Sequence, residues 1–376
     1  MEKEKTNTAK PLKKVESFIN TNLNSLLLII LSLILIVSIF SFMLGFGARS
    51  TLNQKIEEAR ILAIPVSIQL KVINCNGCAD IKEIISSIKK QNVNITSEQV
   101  FGFYDLEVKQ LISDYEIKTL PTILILGEIS SNKIKFDNFE KVNDALVLKQ
   151  QLAPYLDIIT NNLKGIVDII EVVDSSCKNC IGLSSIPSTL SKSGVSIGDW
   201  KKIEYTSAEG AAAIKKYSLT HVPTVLISKE INYYDNIKQT LTQAGASNKG
   251  DYYSLHSKSP PYRNITSNKI VGLVDLILIY DKICSNCYDV NLNKAALKNL
   301  GIFINTEKTY DISYSEAKSL IAKYSIEKIP TMILSPEANS YPGFANVWRQ
   351  VGTIENDEWF VMRKPEVLGN VTGIKK

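Results

Sequence analysis

The chain has 376 residues, of which 45% are hydrophobic and 22% charged, a composition ordinary for globular protein and without collagen-like or disordered bias. Its net charge of +5 is thinly spread, with no basic stripe interleaved with aromatics, so nucleic acid is not an expected partner. At about 150 residues per domain, the length alone suggests two or three domains.

The first 24 residues are polar and carry Lys3, Lys5, Lys10, Lys13 and Lys14. Ser25 to Gly47 then gives 23 residues without a charge, dominated by Leu and Ile. About 20 apolar residues cross a hydrocarbon core of roughly 30 Å, so residues 25–47 are expected to span a lipid bilayer. Two other readings compete. A buried core helix would show a polar face, and only Ser32, Ser38 and Ser41 interrupt this one. A cleaved signal peptide has an apolar region of about 7–15 residues and a small-residue site, which Phe46-Gly47-Ala48 matches poorly, though Gly45-Phe46-Gly47 leaves some room for it. Five lysines before the segment face Arg49, Lys55 and Arg60 after it, which favours an inside amino terminus. The expected topology is single-pass in the cell membrane: a cytoplasmic tail (1–24), a transmembrane helix (25–47), a helical stalk (48–60) and extracytoplasmic domains. Paired cysteines agree, since disulfides persist in oxidising compartments.

Beyond residue 60 one unit is written three times: a Cys-x-x-Cys pair, then an x-Pro-Thr. The pairs are Cys75/Cys78, Cys177/Cys180 and Cys284/Cys287, and they use all six cysteines of the chain. The triplets are Leu120-Pro121-Thr122, Val222-Pro223-Thr224 and Ile329-Pro330-Thr331. First cysteine to proline is 46 residues in every copy (121 − 75, 223 − 177, 330 − 284). Such spacing indicates a triplicated domain.

Each pair follows an apolar, β-branched stretch of strand character: Ile64 to Ile73, Ile166 to Val173 and Ile270 to Tyr280. A helical pattern follows, clearest in Ile81, Ile84, Ile85 and Ile88, and a second helix-like stretch precedes each proline. Another apolar strand follows each Pro-Thr. This alternation predicts an α/β layer with partly parallel strands. A proline heading a strand belongs at an end or edge, and X-Pro is the bond for which a cis peptide costs little. The first domain is expected over 61–157, closing with a helical stretch from Phe139 to Leu152. The second is expected over 159–246, closing with Ile237 to Ala244. A polar, turn-rich linker follows over 247–266. The third, 267–376, departs from its siblings after Pro330: Trp348–Ile354 and Trp359–Met362 read as a β-hairpin.

The repeated unit resembles the thioredoxin superfamily over roughly residues 60–376. The resemblance implies three tandem thioredoxin-like domains of α/β class, each a central mixed sheet flanked by helices, behind one transmembrane helix. It implies that each dithiol opens a helix after a central strand and faces a cis-proline loop. Ile329-Pro330-Thr331 reads like the family's usual triplet. There are departures: Asn74, Ser176 and Ile283 stand before the first cysteines where a tryptophan is common, and no inter-cysteine dipeptide is Gly-Pro or Gly-His.

Two thiols one helical turn apart can close into a disulfide. Backbone N–H groups at a helix start stabilise the thiolate of the first. Cys75, Cys177 and Cys284 are therefore the expected nucleophiles, with Cys78, Cys180 and Cys287 resolving the mixed disulfide. The backbone at Leu120, Val222 and Ile329, beside Pro121, Pro223 and Pro330, is expected to pair with an extended substrate peptide. The resemblance also implies a buried acid six residues before the first cysteine. Counting back gives Gln69, Glu171 and Leu278, so only Glu171 qualifies. Inside the apolar run 169–173 it reads as a proton relay to the resolving thiol, or alternatively as a solvated strand-edge residue. Lys178 adds positive charge beside Cys177, and His221 lies near the second dithiol as a site or packing residue.

Zinc binding is disfavoured, because the pairs lie about 100 residues apart and compact sites use closer ones. No metal or other cofactor is expected. Asn94, Asn264 and Asn370 match the N-glycosylation pattern, but the pattern is short and the chain Asn-rich, so chance is the favoured reading. The expected function is disulfide exchange on exported cysteine-containing proteins, with a membrane or extracytoplasmic electron partner of unknown identity. The alternative is a non-catalytic peptide-binding or chaperone-like scaffold on the same fold.

Overall fold

The computed structural model describes residues 12–129, 134, 136–149 and 151–374. Lys3, Lys5 and Lys10 of the expected tail lie outside these residues. Helix α1, Leu12–Ala63, runs unbroken for 52 residues, so the expected span and stalk form one element. Its window Leu26–Met43 has a mean hydropathy of 3.0 and none of it is buried, which excludes a core helix. The helix is long and apolar enough to cross a membrane. The Ser32 and Ser38 hydroxyls donate to the carbonyls of Ile29 (2.8 Å) and Ile34 (2.7 Å), which hides their polarity within the helix.

The chain divides into two compact units. One comprises Met1–Val72, Ile81–Val100 and Ile123–Lys149, and the other Ile73–Asp80, Phe101–Thr122 and Gln150–Lys376. The first unit holds α1, α2 (Lys82–Lys89) and the first copy's sheet. That sheet is built from β1 (Val66–Asn74), β2 (Val93–Gly102), β4 (Thr122–Gly127), β5 (Phe139–Val142) and β6 (Ala145–Leu148), in the order β2-β1-β4-β6-β5. Alternation along β1 buries Val66, Ile68, Leu70 and Val72.

The second unit holds the Cys75 loop, α3 (Leu106–Asp114), and a small sheet of β3 (Thr119–Leu120), β7 (Tyr155–Asp157) and β8 (Asn162–Lys164). It also holds the second and third copies. The second comprises β9 (Val167–Val173), α4 (Ile186–Lys192), β10 (Ile197–Glu204), α5 (Ala208–Tyr217), β11 (His221–Val222), β12 (Thr224–Ser228), α6 (Asp235–Ala244), β13 (Ser247–Lys249) and β14 (Tyr252–His256). Strands β15 (Tyr262–Asn264) and β16 (Lys269–Val271) follow. The third comprises β17 (Val274–Tyr280), α7 (Leu292–Asn299), β18 (Ile304–Asp311), α8 (Ser315–Lys323), β19 (Lys328–Ile329), β20 (Thr331–Leu334), α9 (Phe344–Trp348), β21 (Gly352–Ile354), β22 (Phe360–Met362) and β23 (Thr372–Gly373).

The two sheets, β10-β9-β12-β14-β13 and β18-β17-β20-β22-β21, repeat the order of the first. In both, the strand before the dithiol runs parallel to the next strand and antiparallel to the strand after the proline. Apolar side chains cover both faces of each: Val167, Ile169, Val225 and Ile227 pack with Leu190 and Leu241, while Val172 and Leu226 pack with Tyr217 and Leu219. This is why β9 and β17 read as nearly continuous apolar runs.

Three expectations are corrected. Phe139–Leu152 is no helix: β5 and β6 pair as a hairpin around Asn143-Asp144, with Asn143 at φ +53°, a turn signal that the helical reading overlooked. The expected linker 247–266 contains β13 and β14, which turn at Gly250 and complete the second sheet, and then β15. The closing hairpin of the third copy is therefore no departure, since all three copies end in one.

Successive copies are joined by glycines with positive φ. Gly165 (φ +84°) donates its N–H to Glu230 Oε2 (2.5 Å), and its carbonyl accepts from the Tyr234 hydroxyl (2.7 Å). Gly272 (φ +85°) repeats this with Glu337 (2.7 Å) and Tyr341 (2.8 Å). A Cβ at either would strike Ala153 or Pro260 at 2.7 or 2.2 Å, so glycine is required on both counts.

Candidate functional site: three dithiols beside three prolines

Each cysteine pair is a closed disulfide with Cα atoms 5.4–5.5 Å apart. Each expected proline bond, Leu120–Pro121, Val222–Pro223 and Ile329–Pro330, is cis. The residue before each proline is fully buried, and at the first and third sites its carbonyl lies against the dithiol. The Leu120 carbonyl oxygen lies 3.5 and 3.4 Å from the sulfurs of Cys75 and Cys78, and that of Ile329 lies 3.9 Å from Cys287.

The dithiols do not open helices. Each occupies a turn after its strand, and α2, α4 and α7 begin only at Lys82, Ile186 and Leu292. The helix dipole fades beyond its first turn, so its help to the first thiolate is weaker than the sequence suggested. The free edge expected at Leu120, Val222 and Ile329 is also absent. Leu120 pairs with Leu156, Val222 with Arg263 and Ile329 with Thr372, so a later strand of the chain lies beside each proline.

Around these shared parts the three sites differ. At the first, Asn74, Cys75, Phe103 and Asp105 line a pocket of about 230 Å³, rimmed by Tyr104, which is 87% exposed. At the third, a polar pocket of about 510 Å³ opens on Cys284 and Cys287 between Tyr280, Lys282, Tyr288 and Pro330. The buried Tyr288 hydroxyl donates to the Pro330 carbonyl (3.1 Å) and accepts from Asn293 (3.2 Å), and burial raises its pKa.

The second site is closed. Cys177 is only 8% exposed. Arg263 on β15 donates from Nε to Asp174 Oδ2 (2.6 Å) and from Nη2 to the Ser176 hydroxyl (3.1 Å), across the loop leading to Cys177. Burial pushes the Asp174 pKa up, but the Ser176 hydrogen bond and the Arg263 guanidinium outweigh it and hold the carboxyl below its usual range. His221 stacks on His256 with ring centres 4.5 Å apart and meets Tyr262 edge-on at 4.3 Å, so it is a packing residue at the same strand edge. Lys178 is exposed.

Glu171 is 1% exposed on β9, which has neighbours on both sides, so the strand-edge reading fails. Its carboxylate accepts from the Ser184 hydroxyl (2.8 Å) and lies 3.4 Å from Lys202 Nζ on β10. Six residues before Cys75 stands Gln69, which is exposed, while Leu70 beside it is buried. β1 reaches Asn74, directly before Cys75, whereas β9 stops at Val173 and leaves three residues before Cys177, so a fixed count back from the cysteine lands on the opposite face of the strand.

No sequence signal marks Asp174, Ser176 and Arg263 as a cluster. Arg263 lies 89 residues from Asp174, in a stretch that reads as linker.

No family model and no curated protein matches the chain. Solved structures of thioredoxin-fold proteins are similar to it. The alkylhydroperoxide reductase component AhpF of Enterococcus faecalis is 14% identical, over 46% of this chain and 82% of that one, with a TM-score of 0.16. A protein disulfide oxidoreductase from Aeropyrum pernix is 15% identical, over 46% and 77%, with a TM-score of 0.14. ERdj5 is 14% identical over 76% of this chain, which spans only 38% of ERdj5, with a TM-score of 0.15. At these scores the likenesses carry no argument of their own. The fold rests on the chain's own topology: parallel strands flanking the Cys-x-x-Cys turn, a cis-proline facing it and antiparallel closing strands. Behind an apolar helix, the chain carries three tandem thioredoxin-like domains.

Proposed function

We propose that the chain is a membrane-anchored thiol–disulfide oxidoreductase whose domains, bounded near residues 61–164, 165–271 and 272–376, work outside the cytoplasm on exported cysteine-containing proteins. One observation carries the reading: a half-buried Cys284–Cys287 disulfide at the mouth of a polar pocket, with the carbonyl before a cis-proline against its second sulfur. In the reduced state, the Cys284 thiolate attacks a substrate disulfide. A Cys284–substrate S–S bond forms and the leaving cysteine departs as thiolate. Cys287 then attacks Cys284, freeing the second substrate thiol and leaving the Cys284–Cys287 disulfide. Two electrons pass to the substrate, and a dithiol donor in the same compartment must restore them.

The test uses the full chain in detergent micelles with a disulfide-bonded protein substrate and a small dithiol reductant. Turnover well above that of a variant with all six cysteines replaced by serine is expected; equal turnover would refute an enzymatic role. The scaffold reading draws its support from the occupied proline edges, and it predicts that equality. The orientation is tested by adding protease to wall-stripped cells. Degradation of the domains is expected, and protection until lysis overturns it.

A further inference from the structure

The three strands beside the prolines act as latches, and they are fastened unequally. Each latch makes the same three connections. It pairs with the residue before the proline; the N–H just after it (Ile158, Ile265, Ile374) donates to the carbonyl three residues before the proline (Lys118, 3.0 Å; Thr220, 2.9 Å; Glu327, 2.9 Å); and it accepts a hydrogen bond from the N–H that follows the second cysteine. Those N–H groups are Ala79 to the Pro154 carbonyl (2.7 Å), Ile181 to Pro261 (3.1 Å) and Tyr288 to Asn370 (2.8 Å). The backbone groups that an incoming extended peptide would use are thereby taken at every site.

At the first site the latch is β7, held by a return strand, β8, and by buried Pro154 and Tyr155. The Tyr155 ring also meets Tyr233 of the second copy edge-on at 5.4 Å. At the second site the latch is β15, held by its own return strand, β16, by buried Pro260 and Pro261, and by the Arg263–Asp174 ion pair. At the third site the latch is β23, two residues long, with no return strand among the described residues. None of residues 369–374 is buried. Beyond the shared connections, Ile374 packs, only partly buried, against the third copy's core.

We infer that the third dithiol is the one that admits substrate, by releasing β23 so that an extended, disulfide-bearing segment of a partner protein takes its place on β19. The inference rests on the oxidoreductase reading and names which of the three sites meets substrate. β23 itself shows what the edge accepts: an antiparallel strand of small and β-branched residues, here Val371-Thr372-Gly373. Release would free the backbone of Lys328 and Ile329, one residue from Pro330 and the 510 Å³ pocket that reaches Cys284 and Cys287. Ile283, 82% exposed beside Cys284, offers the arriving strand an apolar contact. The first two dithiols are closed to such a strand, because opening them means extracting a hairpin with buried prolines.

The test takes the full chain in detergent micelles with Cys78, Cys180 and Cys287 each replaced by alanine, leaving one thiol per site. Each thiol is assayed by mass spectrometry for mixed-disulfide formation with two probes: a small aromatic disulfide, and an extended ten-residue peptide carrying a mixed disulfide on a central cysteine. The small probe is expected to label all three thiols. The peptide is expected to favour Cys284 over Cys75 and Cys177 by at least tenfold after normalisation to the small probe. Thr372→Pro, which removes a backbone N–H from the latch, is expected to raise the peptide rate at Cys284 severalfold and leave the other sites unchanged. In the unsubstituted chain, amides of 369–374 are expected to exchange with deuterium faster than those of 153–157 and 260–264. Peptide rates that track the small probe at all three sites, or equal exchange in the three latches, overturn the inference and leave the oxidoreductase reading standing. Thiols unreactive to both probes remove that reading, and the inference with it.

Discussion

The second and third dithiols occupy the same position on two sheets of the same strand order, yet one is shut and the other opens on a pocket. The difference lies outside the repeated core. Arg263 ties the strand over Cys177 to a buried aspartate, whereas the strand over Cys287 is two residues of β-ladder with no buried side chain. Copying a fold preserves the thiols and the proline. Access is decided by the few residues that lie across them.

The largest effect expected from this comparison is on turnover. Cys284→Ser should lower disulfide reductase activity of the full chain roughly 100-fold, while Cys177→Ser should change it less than about twofold. The reverse ranking, read in the same assay, breaks the comparison.

Next in size is Arg263→Ala. Leaving Asp174 buried without its partner should cost about 3–5 kcal/mol in the second copy and speed alkylation of reduced Cys177. Denaturant unfolding and alkylation kinetics measure both. Arg263→Lys should recover little, since one ammonium cannot reproduce the fork across Asp174 and Ser176. The wild-type pair has a pH signature as well. Asp174 binds its proton less tightly folded than unfolded, so its contribution is complete above the ordinary value of 3.8 and lost as pH falls through the lower folded value.

The histidine pair should give a smaller effect at milder pH. Burial lowers the pKa of both rings; His221 is further opposed by His256, and His256 by Lys249 and Lys258. Each folded value lies below 6.5, so the stability they lend is full above 6.5 and declines as pH falls toward the folded values. His221 pairs with Asn264 and touches Tyr262, both on the second latch. Deuterium exchange in 260–264, corrected for intrinsic rates, should therefore rise below pH 6.5 more than exchange in 369–374. Parallel profiles would show that the histidines do not bear on the latch.

The smallest expected effect is at Glu171. The equivalent position in the third copy holds buried Leu278, so Glu171→Leu should change stability by no more than about 1 kcal/mol, the apolar side chain replacing an ion pair that had to be desolvated. If Glu171 relays protons, Glu171→Gln should alter the pH profile of mixed-disulfide resolution in the second copy. Superimposable stopped-flow profiles would leave it structural.

Much of the fold was legible because its determinants are local or periodic. The 46-residue interval from cysteine to proline, the β-branched runs and the 23 uncharged residues each announce one element. The closing hairpins were harder to see. Phe139 to Leu148 alternates too briefly to exclude a helix, and Asn143-Asp144 was the turn signal that would have decided it. The latches were invisible for a physical reason. Two residues of ladder leave no periodic trace, and their partners lie 36 to 45 positions away. Counting back from Cys75 landed on exposed Gln69 because the division between strand and loop before the cysteine differs between copies, whereas along a strand the face is fixed.

The glycine junctions bear on how the protein is made. Gly165 ends the hairpin that covers the first dithiol, and its partner Glu230 is synthesised 65 residues later; Gly272 and Glu337 are separated by the same interval. Each of the first two dithiols therefore spends the time needed to translate those residues, a few seconds to about ten at typical rates, before its cover is secured. Cysteines emerging in order can be oxidised before the hairpin beside their proline is anchored by the next copy. The order of synthesis thus favours local pairing of neighbours over bridges between copies.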